Sequence, residues 1–231
     1  MIHTPPNGRS EPGPEYLAPT RFLDADAPTV RAFAAATTAG AAGAREKAVK
    51  LFYAVRDGWR YDPFGISLDP RHYQASAIQA GEGGYCIPKA ILLAASARAA
   101  GIPAAIGLSD VVNHLTTEKL KARMGGKTYF LHHGYAVLHI DGAWVKAAPA
   151  FNIELCNRFH VRPTEFDGTA DAVFQEFDAK DRRHMEYVKD HGFWSDFPFE
   201  MVAADLRAFY PASLFEPEPS GERFEDGNRV G

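Results

Sequence analysis

From Pro88 to Ala100 the chain reads PKAILLAASARAA, apolar on almost every side of a 3.6-residue period. A helix of that kind has no solvent face, so it must sit at the centre of a fold with other elements wrapped around it. Pro88 suits its first turn and Gly101 the position just past its end. After Gly101-Ile102-Pro103 the period changes from about 3.6 to 2. IPAAIGL reads as a strand, LTTEKLKARMGG as a charged helix inserted after it, and HGYAVLHIDGAWVKAAPAF as a hairpin turning at Asp141-Gly142. A two-residue turn there sets His133 opposite Ala150, with Ala148 diagonal to it on the same face. His133, Tyr135, Val137 and His139 share one face of the strand, and His132, Ala136 and Leu138 the other.

Upstream, Val30, Phe33 and Ala34, then Ala48, Leu51, Phe52 and Val55, recur at helical spacing and predict two helices separated by Gly40 and Gly43. Residues 58–85, rich in glycine and proline, predict a long structured loop. Downstream, helices are predicted near KDRRHMEYVKD and FEMVAADLRAFY. The order is helices, a central helix, then an antiparallel sheet, an α+β arrangement. Residues 1–20 read as an extended N-terminal arm, 21–212 as one domain, and 213–231 as a loose acidic tail. A net charge of −4 over 231 residues gives no electrostatic case for nucleic acid or an anionic membrane. No apolar run approaches the ~18 residues of a membrane span, and the opening MIHTPPNGRSEPGPEY lacks the pattern of a signal peptide. The two cysteines, Cys86 and Cys156, are expected to be reduced thiols of a cytoplasmic protein.

Cys86 follows Gly83-Gly84-Tyr85 at the mouth of the central helix, where free backbone N–H groups concentrate. Such a site depresses a thiol pKa and offers donors for an oxyanion, so Cys86 reads as a nucleophile as readily as a small buried hydrophobe. Gly84 and its neighbour would let a substrate backbone approach closely. His133 is the base such a thiol would need, although a hydrogen-bonded structural histidine is the commoner fate of a lone one. Asn152 is a possible orienter for its ring, Asp110 and Asn113 weaker ones, and Gln79 a possible oxyanion donor.

GGYCIPKAILLAASARAAGIPAAIGL followed by HGYAVLHIDGAWVKAAPAFN resembles the transglutaminase-like superfamily of papain-like cysteine enzymes. The family pattern is a Gly-x-Cys at a helix start, an alanine-rich helix, Arg-x-x-Gly-Ile-Pro, His-x-Trp or His-x-Tyr, and Trp-x-x-x-Asp-Pro. Here these are Gly84-Tyr85-Cys86, Arg98 to Pro103, His133-Gly134-Tyr135, and Trp144 leading to Ala148-Pro149. The resemblance implies a papain-like core in which the Cys-bearing helix packs on an antiparallel sheet. It also implies that Cys86 is the nucleophile and His133 the base, with Ala148 where the family has its aspartate. The chemistry implied is acyl transfer through a thioester on a peptide, amide or acyl-thioester substrate, as hydrolase, protease or amine acyltransferase. A binding protein that keeps the cleft without the chemistry is the alternative. Tyr85, Tyr135 and Trp144 are expected to contact substrate, as are Tyr61, Phe64 and Tyr73 as cleft walls, and no cofactor is expected.

Other patterns carry less. His132, His133 and His139 with His114 do not make a zinc pattern, because the strand splits the first three across its faces and no Cys-x-x-Cys accompanies them. GEGG at 81–84 is not a dinucleotide fingerprint. Cys156 reads as packing, and TEKLKAR as a solvated helix face or a lid. Arg182, Arg183 and His184 could meet a substrate carboxylate.

Overall fold

A computed structural model describes residues 11–113, 116–173, 185–216 and 223–226. Two helices, α1 (Pro28–Thr37) and α2 (Ala44–Gly58), lead into a short strand β1 (Arg60–Tyr61). After a looped segment come α3 (Ala75–Gln79), strand β2 (Gly83–Gly84) and the central helix α4 (Cys86–Ala99). Strand β3 (Ala104–Asn113), helix α5 (Glu118–Arg123) and strands β4 (Tyr129–Ile140) and β5 (Ala143–Ala147) follow. Helix α6 (Ile153–Phe159), strand β6 (Met185–Trp194) and helix α7 (Phe199–Phe209) complete the set.

Every residue of α4 from Cys86 to Arg98 is buried. Helices α1, α2 and α3 cover one side, and β3 and β4 the other. The sheet is antiparallel in the order β5-β4-β3-β6. The β4–β5 ladder runs from Ala136↔Ala147 to Ile140↔Ala143, the register that a two-residue turn dictates. Asp141 and Gly142 both take positive φ, at 49° and 81°, as a type I′ turn requires. The strand faces alternate accordingly. Ala136, Leu138 and Ile140 join the core beneath α4, whereas Tyr135 and Val137 join a second cluster on the far face with Tyr16, Ala105, Ala148 and Phe193.

The segment KDRRHMEYVKD departs from the expected helix. Residues 185–190 belong to β6, paired to β3, and 180–184 lie outside the described residues. The arm and tail are not loose where they are described. Tyr16 packs edge-on against Trp144 and Phe193, and Phe224 against Tyr61 and Phe159.

Arg98, near the end of α4, ties these parts together. Its guanidinium donates to the carbonyls of Ala104 (2.8 and 3.0 Å), Ala18 (2.6 Å) and Ser195 (2.5 Å). Arg98→Ala orphans carbonyls from three segments at once, at about 1–3 kcal/mol for each one left dry. We expect a loss of roughly 3 kcal/mol, a fall in Tm of about 6–12 °C for a chain of this length. Thermal unfolding checks it, and an unchanged Tm would show that water satisfies those carbonyls instead.

Candidate active site

Cys86 is the first residue of α4, and three features of the chain place it. The parallel pair β1–β2 sets Arg60 beside Gly83 and Tyr61 beside Gly84, delivering the chain to the helix start. A Cβ on Gly83 would stand 2.7 Å from the Arg60 carbonyl oxygen, so this glycine admits the protein's own strand rather than a substrate. On Gly84 a Cβ would meet the Pro88 ring at 3.0 Å, again an internal contact. From the other side β4 approaches so closely that a Cβ on Gly134 would lie 2.8 Å from the Ile87 Cα. That approach sets the Gly134 N–H, with those of Cys86 and Ile87, where it favours the thiolate form of Cys86.

Cys86 and His133 both line one narrow cavity of about 50 Å3, although strict alternation would put His133 on the face of Tyr135, which does not line it. Tyr61, Tyr85, Phe151, Met185 and Tyr210 contribute to its largely apolar wall. Leu120 and Met124 add the inner side of α5, whose outer side faces solvent, so this charged helix is both a solvated face and part of the cavity wall. A space of this size holds water but not an acyl substrate, so entry requires the wall to move.

Burial of the two side chains decides their charge state. Burial pushes the Cys86 thiol up to about 11, outweighing the three N–H groups that favour a thiolate. Burial also pulls the His133 imidazole down to about 3. Closed, the site therefore holds a thiol and a neutral imidazole, not the ion pair that a helix mouth alone would suggest.

The remaining expected site residues are dispersed. Asn152 stands just before α6, its Oδ1 accepting from the Tyr61 N–H (3.0 Å) and its Nδ2 donating to Glu154 (2.8 Å). Those bonds hold β1 to α6 and commit the amide there instead of to the His133 ring. Gln79 ends α3, half-buried, and is not among the residues lining the cavity. Tyr135 and Trp144 lie on the far face of the sheet, so neither contacts the cavity. The Tyr135 ring covers Gly107 and its hydroxyl donates to Asp190 at 2.8 Å. Trp144 packs on Tyr16, Phe193 and His139. Tyr85 does line the cavity, its hydroxyl 2.7 Å from that of Tyr73. Phe64 and Tyr73 pack into the core instead of lining the cavity. Ala148 is fully buried in the far cluster. Beyond Ala147 the β4–β5 ladder stops, so Ala150 does not pair with His133. Asn113 lines the cavity, whereas Asp110 accepts from the His132 N–H and the Tyr129 hydroxyl, both at 3.1 Å. Arg182, Arg183, His184 and His114 lie outside the described residues.

Sequence reasoning missed Tyr210, 124 positions beyond Cys86 by number. Its hydroxyl donates to the Tyr129 carbonyl (2.8 Å) and accepts from the Leu131 N–H (3.0 Å), fixing β4 just ahead of His132. No local pattern marks such a residue.

The sequence profile of the transglutaminase-like superfamily matches residues 31–149, more than half of the chain, from α1 through β5. The chain belongs to that superfamily. Its fold is the family's α+β core, the Cys-bearing helix packed on an antiparallel sheet. No curated protein matches it in sequence. Among solved structures, it is similar to one from Cytophaga hutchinsonii described as a "putative cysteine protease". The two share 16% identity with a TM-score of 0.45, over 75% of this chain and 50% of that one. The chain thus spans half the length of that solved protein. No described helix is long and apolar enough to cross a membrane.

Proposed function

We propose that this protein is a cysteine-dependent acyl-transfer enzyme in which Cys86 carries the acyl group as a thioester. The observation that carries the reading is the placing of Cys86 as the first residue of α4, pressed against β4 at Gly134, in a cavity that His133 also lines. Once substrate has opened the cavity, the Cys86 sulfur attacks the carbonyl carbon of an amide, peptide or thioester. The thiol proton passes to His133, which returns it to the departing amine or thiol. The N–H groups of Cys86, Ile87 and Gly134 are the donors at hand for the oxyanion. Water or an amine then attacks the thioester and releases Cys86 as a thiol, giving hydrolysis or transfer according to the acceptor.

The experiment is to incubate the protein with activated aryl esters and acyl-thioesters and to map the adduct by mass spectrometry. An acyl mass on Cys86, absent in Cys86→Ala and kept in Cys156→Ala, is the expected result. His133→Ala is expected to slow its formation by about 10²- to 10⁴-fold. Shortened adduct lifetime on adding amines marks a transferase, and decay indifferent to amines a hydrolase. The second reading, a binding protein with a lapsed site, is favoured by Ala148 at the family's acid position. It prevails if wild type and Cys86→Ala are equally unlabelled.

A further inference from the structure

Three neighbouring strands each lose their regular register at the same level of the sheet. The β3–β4 ladder shifts between Ser109 and Val111, and the β3–β6 ladder between Leu108 and Ser109 and again between Asp110 and Val111. Bulges re-aim side chains, and here they turn one polar side chain from each strand toward a common point. These are Asp110 of β3, His132 of β4 and His191 of β6, and one ligand-capable atom of each lies within 4.8 Å of the others. His132 is held in the left-handed region, at φ 57°, which a non-glycine residue adopts only where its surroundings insist.

The polar accounting of this cluster is incomplete. His132 is 2% exposed, and its Nδ1 has no hydrogen-bond partner among the described residues. His191 Nε2 lies 2.8 Å from Asp110 Oδ1, yet off the line of a hydrogen bond. His132 Nε2, in contrast, is 2.8 Å from Asp205 Oδ2 on α7. A carboxylate behind one imidazole nitrogen, with the other nitrogen directed elsewhere, is how proteins orient and strengthen a histidine ligand.

We propose that Asp110, His132 and His191 form a binding site for a divalent first-row transition-metal ion, with Asp205 as the residue that positions His132. Two imidazole nitrogens and one carboxylate oxygen suit Zn2+ and its neighbours. Ca2+ and Mg2+, which favour oxygen donors throughout, are poor matches. The site adjoins the cavity, since His132 also lines it, but it uses neither Cys86 nor His133. Binding here stands or falls separately from the acyl-transfer chemistry.

The test uses the full chain, stripped with a chelator, then titrated with Zn2+ by calorimetry and with Co2+ by visible absorption. One equivalent of Zn2+ is expected to bind and to raise Tm, and Co2+ to give the intense bands of a four- or five-coordinate ion. His191→Ala and Asp110→Asn should each weaken binding at least about tenfold, and Asp205→Asn about 10- to 100-fold. His160→Ala, on an exposed histidine elsewhere, should change nothing. Circular dichroism checks folding, and Asp205→Asn serves where a core variant does not fold, because the Asp205 side chain is half exposed. Absence of binding at millimolar Zn2+, or affinity unchanged in both His191→Ala and Asp205→Asn, overturns the proposal.

Discussion

Gly134→Ala is expected to lower Tm by about 6–12 °C and to open Cys86 to alkylation at neutral pH. The added Cβ would stand 2.8 Å from the Ile87 Cα, 2.9 Å from its Cγ1 and 3.1 Å from its backbone nitrogen. Two of those three atoms are main chain, so no rotamer change relieves the contact, and the start of α4 must separate from β4. Overpacking of this kind costs about 1–3 kcal/mol, and a clash with backbone belongs at the upper end, from which the Tm range follows. The same displacement withdraws the Gly134 N–H from the sulfur and admits water. Hydration removes the burial that holds the thiol at about 11, so thiolate becomes available at lower pH. Differential scanning calorimetry and mass-resolved alkylation, with buried Cys156 as the internal reference, read both effects. A normal Tm together with an inert Cys86 would mean that the strand and helix are less tightly engaged than described.

The second large effect concerns Lys89, which is fully buried one helical turn beyond Cys86. Its amine donates to the carbonyls of Arg56 (2.7 Å) and Trp59 (2.6 Å), closing the C-terminal end of α2. Burial lowers its pKa from 10.5 to about 7. Above pH 10.5 neither folded nor unfolded chain carries the proton, and the group costs nothing. As pH falls, the unfolded chain takes the proton first, so stability declines by about 1.4 kcal/mol per pH unit until the folded amine also protonates near pH 7. The accumulated loss is on the order of 5 kcal/mol. Lys89→Met removes this slope but strands two carbonyls, at about 1–3 kcal/mol each. The variant should therefore be markedly less stable than wild type near pH 10, and the gap should shrink steadily toward pH 7. Urea unfolding across that range tests it, and a gap independent of pH would show that Lys89 is charged in the folded protein throughout.

The parts of the fold governed by local periodicity were readable in the sequence. The central helix has only one way to bury an all-apolar surface, and Asp141-Gly142 fixes the hairpin register residue by residue. Strand β6 was not readable. MEYVKD carries charges and breaks alternation, and only pairing to β3, some eighty positions earlier, makes it a strand. At the candidate site, the placing of Cys86 at a helix mouth and of His133 on a strand was legible because local pattern constrains each position. Tyr135 and Trp144 were misplaced because the sheet has a second apolar face, covered by Tyr16 from the arm, and a substrate is not needed to explain aromatic residues there. Asn152 misled for a related reason. A side chain that bonds a neighbouring strand and a nearby carboxylate has the polarity of a catalytic orienter without its position. Asp110, His132 and His191 are separated by tens of residues and meet through bulges, which leave no mark on composition or spacing.

The two outer strands of the sheet have a bearing on how the protein behaves at high concentration. A straight outer strand with open amides invites a neighbouring molecule to continue the sheet, which is how ordered aggregates begin. Strand β5 is only five residues long, and Ala147, at its end, also bridges to Ala172 of its own chain. On the opposite side β6 places Glu186, Lys189 and Asp190 along a strand twice interrupted in register. Shortness on one flank, and charge with broken register on the other, make both described edges poor templates. The β3–β6 irregularities beside Asp110 and His191 thus also guard the protein against polymerising through that edge.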